Sequence, residues 1–322
     1  MSAPHTVFAL ITDTHFQMPA PADDSVMWNR QLVSQSSKLA ELLVQSLNAR
    51  TLDFVIHAGD LTHQGDRPSF EFVRSTLLRI NAPLWFTLGN RDVGGEGVRA
   101  WLASTWGLEH EAMYFSRYHR GVRYIFLDSN YAHLSSGKES EVQRWDQTKT
   151  YSGVGFSSLQ VEWLQDELAR DRETLTFVIA HHPIASKSEY PIISPRELGS
   201  PNRRLGPVWS KLFPVYHKEV LALLESASNV KVVFTGHWHI NDITRVNSLY
   251  HVKTSSLIEY PFEYRLVSVW DTFLDVSVVR LPAENLITAS LVPEWCNEWI
   301  QGESFDRERR IYFDDESVAT RL

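Results

Sequence analysis

The sequence has few features that would set the protein apart from ordinary globular proteins. It contains a single cysteine, Cys296, so an internal disulfide is excluded and a reducing compartment, the cytoplasm, is expected. The N-terminus has neither a basic region nor a small-residue cleavage site, and its apolar run at residues 7–12 is too short to span a bilayer. We therefore expect no membrane span and interpret that run as a core strand.

Positive charge is also scarce. The 31 lysines and arginines are outnumbered by 39 aspartates and glutamates, which gives a net charge of -8. An acidic surface repels polyanions, and this argues against a nucleic-acid polymer or an anionic membrane as the main partner. Hydrophobic residues make up 43% of the 322 residues, which is an ordinary globular composition. The chain is long enough to bury a sizeable core, and its length is compatible with one large α/β domain that carries insertions.

Five strand-like apolar segments each end directly before residues of the types that bind metals. In the clearest case, residues 53–58 lead into Gly59, which permits a sharp turn, and Asp60 follows at the carboxyl end of the strand. The motifs, in chain order, are Asp13-Thr14-His15, Gly59-Asp60, Gly89-Asn90-Arg91-Asp92, His181-His182-Pro183 and Gly236-His237-Trp238-His239. Turn and capping chemistry explains any one of them, but five in succession predict a dinuclear metal site in which Asp60 is shared by both ions.

Hydrophobic periodicity predicts how these segments are connected. A strand at 6–12, a helix at 38–50 and a strand at 53–58 form a βαβ unit with parallel strands. Adjacent strands without helices near the end of the chain indicate an antiparallel edge, so the sheets are expected to be mixed. Residues 131–155 are polar and weakly patterned, and no strand is predicted there. The other predicted elements are a helix from Pro68, strands at 84–88, 113–118, 122–128, 175–180, 230–235, 248–254, 265–271 and 274–280, and helices at 158–170 and 217–227.

Taken together and in this order, the motifs resemble those of the calcineurin-like metallophosphoesterase family. The flanking stretch FSSLQVEWLQDEL before His181 and the strand-rich region after His239 resemble the bacterial class III cyclic nucleotide phosphodiesterases. The resemblance extends from residue 6 to about residue 282. It implies an α/β fold, a four-layer α-β-β-α sandwich in which two mixed sheets face each other and the metals lie at the sheet edge.

The resemblance also implies two sets of metal ligands. One ion would be held by Asp13, His15, Asp60 and His239, and the other by Asp60, Asn90, His181 and His237. The residues alone leave open whether His181 or His182 is the ligand, and the resemblance favours His181, two residues before Pro183. Nitrogen and oxygen ligands suit two divalent ions, with Mn or Fe favoured, Zn or Co as alternatives, and Mg disfavoured by the four histidines.

The chemistry of a phosphodiester explains why two ions are expected. A phosphodiester is anionic and repels hydroxide, whereas a pair of divalent ions neutralises its charge and makes hydroxide available at neutral pH. The implied reaction is attack by a hydroxide that bridges the metals. The candidate catalytic residues are Asp60, Asn90, Arg91 and His182.

Arg91 departs from the pattern of the family. Many relatives have a histidine after the asparagine, where it contacts the phosphoryl group and helps to protonate the leaving oxygen. Arginine makes a charge-assisted contact to phosphate but keeps its proton at neutral pH. Either His63, His182 or Asp92 supplies the acid, or the leaving group is a phosphate, which needs little protonation.

The leading prediction is a metallophosphoesterase that hydrolyses small phosphodiesters, above all cyclic nucleotides. The GNRD motif also occurs in UDP-diacylglucosamine pyrophosphatases, so a nucleotide-linked pyrophosphate, or a phosphomonoester, is an alternative substrate of the same site. A non-enzymatic alternative is a metal-binding scaffold with little activity. The complete set of candidate ligands argues against this last alternative.

Two regions lie outside the motif pattern. An insertion at 185–216, within a predicted metallophosphoesterase domain at 1–285, contains five prolines and several basic residues. We interpret these basic residues as solvated, with a contact to substrate phosphate or a cap over the site as the alternative. The extension at 286–322 contains Trp295 and Trp299. These tryptophans are expected to pack on the domain or to form an oligomer interface, as in a homodimer.

Overall fold

Two six-stranded mixed sheets face each other and carry helices on their outer surfaces. In the computed structural model, residues 3–94, 97–106, 113–141, 151–185, 214–291 and 297–314 are described. The strand orders are β15-β14-β13-β1-β2-β3 and β11-β12-β10-β9-β5-β4, and a third sheet has the order β7-β6-β8. The predicted four-layer α-β-β-α sandwich is therefore confirmed.

The bounds of the elements follow the chain order. The strands are β1 Thr6–Ile11, β2 Phe54–Ala58, β3 Leu84–Thr87, β4 Phe115–His119, β5 Val122–Phe126, β6 Tyr131–Leu134, β7 Glu139–Ser140, β8 Tyr151–Gly155, β9 Leu175–Ile179, β10 Val230–Thr235, β11 Asp242–Val246, β12 Leu249–Lys253, β13 Glu263–Val269, β14 Phe273–Arg280 and β15 Arg309–Tyr312. The helices are α1 Ser36–Asn48, α2 Arg67–Leu77, α3 Val98–Trp106, α4 Ser158–Arg170, α5 His217–Ser226, α6 Glu284–Ser290 and α7 Ser304–Arg307.

The alternation of side chains along β1 explains the layering. Phe8 and Leu10 face the core between the two sheets, whereas Ala9 and Ile11 face the outer layer that α1 and α2 cover. The Phe8 and Phe54 rings stack at 5.1 Å between centroids, and Phe54 stacks on Trp85 at 4.0 Å. A second outer core lies under α4 and α5.

The first βαβ units form as the sequence predicts. β1 runs parallel to β2, and β2 runs parallel to β3. The returning helix α1 buries Leu39, Leu43 and Leu47, which recur at helical spacing. Since parallel strands have their carboxyl ends at one edge of the sheet, this connection brings the first three motifs to the same place.

The sequence patterns did not predict several strands that the structure contains. β6, β7 and β8 form a small antiparallel sheet within residues 131–155, where no strand was predicted. Short, polar strands give little periodic signal, and β8 carries glycines. Gly155 has to be glycine because a Cβ there would lie 2.2 Å from the backbone nitrogen of Val215. β11 was missed as well, and it pairs with β12 in antiparallel orientation.

The C-terminal extension contributes to the first sheet. β15 pairs with β14 in antiparallel orientation, and the Trp299 ring packs edge to face against Trp28 at 5.0 Å. Trp295 and most of the predicted 185–216 insertion lie outside the described residues. Within the described part of the chain, no helix combines the length and the apolar character that crossing a bilayer requires.

Candidate metal centre

All five motifs lie at the carboxyl ends of strands in the two facing sheets. Backbone hydrogen bonds tie the loops together: the Asp13 amide donates to the Gly59 carbonyl at 3.0 Å, and the Gly236 amide donates to the His181 carbonyl at 3.0 Å. The first bond joins two loops of one sheet, and the second joins two loops of the other. The sandwich therefore gathers residues that are far apart in sequence at one edge.

The backbone at this edge is strained. Five motif residues have φ between 45° and 67°, a left-handed conformation that residues with a Cβ seldom adopt. They are Asp13, His15, Asp60, His237 and His239. Clusters of such residues persist where the surrounding structure holds them and are typical of functional sites.

The motif glycines are required by close approach. A Cβ on Gly89 would lie 2.1 Å from both the backbone nitrogen and Oδ1 of Asp60. A Cβ on Gly236 would lie 2.4 Å from Asp13 Oδ2. Glycine therefore lets neighbouring loops bring the two carboxylates into position.

This contact predicts the effect of adding one methyl group. Gly89→Ala should displace Asp60, lower the bound Mn measured by elemental analysis, and reduce turnover about 100-fold, since catalysis is sensitive to small misplacements. Gly137→Ala is the control for backbone strain alone: its φ is 81°, so alanine is strained there, but no atom lies within 4 Å of the position of its Cβ, and the metal content should stay that of the wild type. Wild-type metal content in Gly89→Ala would show that the tight contact is not needed.

Four predicted ligands form a first cluster. His15 Nε2 lies 3.8 Å from Asp13 Oδ1, 3.5 Å from Asp60 Oδ2 and 3.3 Å from His239 Nε2. His239 Nε2 lies 3.2 Å from Asp13 Oδ1. The ligand atoms of Asp13, His15 and His239 lie within 4.8 Å of one another, a spacing that suits a common ion.

A second cluster shares Asp60 with the first. His181 Nε2 lies 3.5 Å from Asp60 Oδ1 and 3.2 Å from Asn90 Oδ1. Asp60 thus turns Oδ2 toward the first cluster and Oδ1 toward the second. The backbone amide of Arg91 also donates to Asp60 Oδ1 at 2.7 Å and holds the carboxylate in this orientation.

His237 and His182 lie beside the second cluster. The His237 ring is 5.0 Å from the His181 ring and 4.1 Å from the His182 ring, between centroids. Among the described residues, His237 is in neither group of carboxylate and imidazole atoms within 4.8 Å. Its role as a ligand therefore stays a prediction. His182 Nδ1 is 2.8 Å from Ser129 Oγ, whereas His181 Nε2 faces Asp60, and this geometry favours His181 over His182 as the ligand.

The histidines are oriented for metal binding. His181 Nδ1 donates to the Ala58 carbonyl at 2.9 Å, and His239 Nδ1 donates to Glu259 Oε1 at 2.5 Å. In the neutral form of each ring, these bonds make Nε2 the atom that presents a lone pair to the cluster. Asp13 Oδ1 is buried and accepts no hydrogen bond from the described residues, so the donor set fits a cation at this position.

The electrostatics of the clusters agree with this geometry. Burial lowers the pKa of His15, His181 and His237, which keeps these rings neutral and able to donate a lone pair. Burial also lowers the pKa of His239, but the carboxylates of Asp13 and Glu259 outweigh it and raise the pKa to about 10. Burial and the Asp13 charge raise the pKa of Asp60 to about 8. The pocket therefore favours added positive charge.

Arg91 lies exposed at the edge of the site. Burial is the main cause of the lowered pKa of His15 and His237, and the positive charge of Arg91 adds to it. Burial also lowers the pKa of His63 to about 4, with Arg91 as the next cause. The positive charge of Arg91 therefore acts on the electrostatics of the histidines at this site.

Asp92, a predicted candidate for the acid, makes structural hydrogen bonds. Its carboxylate accepts hydrogen bonds from the amides of Leu61, Thr62 and Gly89 and from Thr62 Oγ1, at 2.9–3.1 Å. Burial and Asp60 raise the pKa of Asp92 to about 7. The side chain is fully buried, and its hydrogen bonds link the Asp60 loop to the Asn90 loop.

Two residues next to the clusters were missed in the sequence. Glu259 contacts His239 and is fully buried, and Ser129 contacts His182. The one signal for Glu259 is a charged residue directly after the apolar pair Leu257 and Ile258. Ser129 gives no distinct signal because serine is common after a strand.

Comparison with known proteins agrees with the fold and the motifs. The sequence profile of the calcineurin-like phosphoesterases matches residues 6–241. A dimetal phosphatase from Danio rerio has a similar structure, with a TM-score of 0.65 and 16% identity over 96% of this chain and 99% of that one. A purple acid phosphatase from yellow lupin, Lupinus luteus, has a TM-score of 0.54 and 15% identity over 85% of this chain and 51% of that one.

No curated protein sequence matches the chain significantly. The two structural likenesses are distant in sequence and support the fold alone. The family assignment rests on the profile, which spans well over half of the 322 residues and contains all five motifs. The chain therefore belongs to the calcineurin-like phosphoesterase family and is a phosphoric ester hydrolase.

Proposed function

We propose that the protein is a dinuclear metal-dependent phosphodiesterase that hydrolyses small phosphodiesters, with cyclic nucleotides as the first substrates to test. The observation that carries this proposal is the orientation of Asp60, whose two carboxylate oxygens face different ligand clusters. A carboxylate shared in this way suits two ions close enough to act on one phosphoryl group.

The proposed ligands are divided between the two ions. Asp13, His15, Asp60 and His239 would hold one ion, and Asp60, Asn90, His181 and His237 the other. Four imidazoles with carboxylate and amide oxygens favour Mn or Fe, with Zn or Co as alternatives. When bound, the two ions would neutralise the charge of the phosphodiester and make hydroxide available at neutral pH.

The residues of the chain would bind and orient the substrate. The exposed Arg91 guanidinium would donate to the non-bridging oxygens of a phosphodiester. Its backbone amide fixes Asp60. Burial lowers the pKa of His182 well below its usual range, so this ring would contact substrate as a neutral group, held by Ser129.

A nucleotide-linked pyrophosphate is the second candidate substrate. Arginine occupies the position where an acid would protonate the leaving oxygen, and the carboxylate of Asp92 is used in linking loops. A phosphate leaving group needs little protonation, because its conjugate acid has a pKa near about 6. These observations suit a phosphate leaving group, and they make pyrophosphate the sharpest alternative.

A panel of substrates tests both candidates. We would measure turnover with added Mn on bis-p-nitrophenyl phosphate, p-nitrophenyl phosphate, a cyclic nucleotide and a nucleotide-linked pyrophosphate. Cleavage of the diester and the cyclic nucleotide would support the leading proposal. Cleavage of the pyrophosphate without the cyclic nucleotide would favour the second candidate, and no cleavage of any of the four would contradict both.

The remaining proposals concern the cellular location, the domain organisation and the oligomeric state of the enzyme. A cytoplasmic location is proposed from the single cysteine, which excludes an internal disulfide. One domain at 1–285 followed by an extension is the proposed organisation, and a homodimer stays a proposal. Size-exclusion chromatography with light scattering would test the oligomeric state.

A further inference from the structure

A short C-terminal segment lies against the loop before α1. Residues 297–302, here called the C-terminal brace, lie outside the region that the family profile matches. The Asn29 side chain pairs with the backbone of Asn297, accepting from its amide at 3.0 Å and donating to its carbonyl at 3.3 Å. In return, Asn297 Nδ2 donates to the Trp28 carbonyl at 2.5 Å. The two segments are thus joined by reciprocal hydrogen bonds.

The same loop contacts the carboxylate that orients a metal ligand. The backbone amide of Asn29 donates to Glu259 Oε2 at 2.7 Å, and His239 Nδ1 donates to Glu259 Oε1 at 2.5 Å. Both Glu259 and Asn29 are fully buried. Each oxygen of Glu259 therefore has a fixed donor, and the position of the His239 ring depends on where Asn29 is held.

Two further contacts connect the brace with the loop that carries His237 and His239. Trp28 Nε1 donates to the Trp238 carbonyl at 2.8 Å, and the Trp28 ring packs on Trp299 of the brace. The Asn241 amide donates to the Ile300 carbonyl at 2.8 Å. The metal-ligand loop is thereby held near its middle and just beyond its end.

We propose that the C-terminal brace and Asn29 act, through Glu259, as positioning residues that set the affinity of the ion at Asp13, His15, Asp60 and His239. The inference rests on the dinuclear site of the proposed function. It also predicts selectivity between the two ions, because His181 in the second cluster is oriented by the Ala58 carbonyl and not by Glu259. Removing a residue that hydrogen-bonds to a metal ligand typically weakens metal binding about 10- to 100-fold.

Glu259→Gln tests the central contact with Mn²⁺ as the probe. In glutamine an NH2 group, which only donates, replaces one of the two carboxylate oxygens, so the side chain cannot accept at both positions where His239 Nδ1 and the Asn29 amide now donate. In a Mn²⁺ titration followed by calorimetry and elemental analysis, we expect one of two ions to bind about 10- to 100-fold more weakly while the other keeps its affinity. Glu167→Gln is the control, because Glu167 is also a buried carboxylate but contacts Ser116, Arg170 and Arg123.

Asn29→Ala tests the link to the brace without altering Glu259. The backbone amide of residue 29 remains, but both side-chain bonds to Asn297 are lost, so the same ion should bind more weakly, by a smaller factor. Asn48→Ala is the control, since Asn48 bridges Arg79 and Asn81 by the same two kinds of bond on α1. If Glu259→Gln does not fold, the Mn²⁺ titration of Asn29→Ala tests the proposal.

The outcomes separate this inference from the proposed function. Wild-type affinity for both ions in Glu259→Gln, or in Asn29→Ala if only that variant folds, would overturn it, and so would equal weakening of both. Urea unfolding separates a change in metal affinity from a change in stability. Glu167→Gln and Asn48→Ala should lower the urea midpoint but leave both Mn²⁺ affinities unchanged, whereas Glu259→Gln and Asn29→Ala should weaken one of the two. A wild-type protein that binds two Mn²⁺ but cleaves no phosphoester would contradict the proposed function and leave this inference intact.

Discussion

Replacing Asp60 with alanine should reduce turnover about 1,000-fold or more, which corresponds to a loss of about 4 kcal/mol of transition-state stabilisation. Asp60 is the residue whose two oxygens face both clusters, so its removal affects both ions at once. We expect the Mn content of the purified variant, measured by elemental analysis, to fall together with kcat on the best substrate of the panel.

Two further variants make this result specific. Asp60→Asn keeps one carboxylate-like oxygen, so it should retain more metal than the alanine variant. Asp275→Ala removes a partly exposed carboxylate that pairs with Arg310 on the first sheet and should behave like the wild type. An Asp60→Ala enzyme with normal metal content and normal kcat would show that this carboxylate is not shared.

Replacing Arg91 with histidine should change which leaving groups the enzyme accepts. Histidine can donate a proton near neutral pH, whereas the guanidinium cannot, so alkoxide leaving groups should gain relative to phosphate leaving groups. Loss of the charge-assisted contact should at the same time lower kcat/KM on the pyrophosphate about 10- to 100-fold. The measurement is the ratio of kcat/KM for the cyclic nucleotide to kcat/KM for the pyrophosphate.

Arg91→Ala and Arg310→Ala are the comparisons for this prediction. Arg91→Ala loses the phosphate contact without adding an acid, so both substrates should decline and their ratio should stay close to that of the wild type. Arg310 pairs with Asp275 away from the metal centre, and its removal should change neither value. A ratio that does not rise in Arg91→His would indicate that another group already protonates the leaving oxygen.

The part of the site that lies in the strand-end motifs could be predicted from the sequence. A buried strand such as β2 is evident from its apolar run, and a βαβ connection requires that its carboxyl end meet those of its parallel neighbours. The positions of Asp13, Asp60 and Asn90 at one edge follow from these rules. The geometry that favours His181 over His182 required the structure, since both follow the same strand.

Residues that lie outside the motifs but contact a motif residue in the fold were harder to predict. Glu259 lies twenty residues after His239, outside the motifs, and its role depends on a tertiary contact with the Asn29 amide. Asp92 is the converse case: it lies in a motif, which suggested a catalytic role, and only the structure shows that its carboxylate joins two loops. In both cases the role of the residue depends on hydrogen bonds between segments that are distant in sequence, and hydrophobic periodicity gives no information about such contacts.

Metal removal and reconstitution test the central claim most directly. The protein would be stripped with a chelator, checked by elemental analysis, and titrated with Mn²⁺ while turnover of bis-p-nitrophenyl phosphate is followed. The account predicts no turnover in the stripped protein and full turnover when two Mn²⁺ are bound per chain. Turnover by the metal-free protein, or saturation of both binding and activity at one ion per chain, would contradict it.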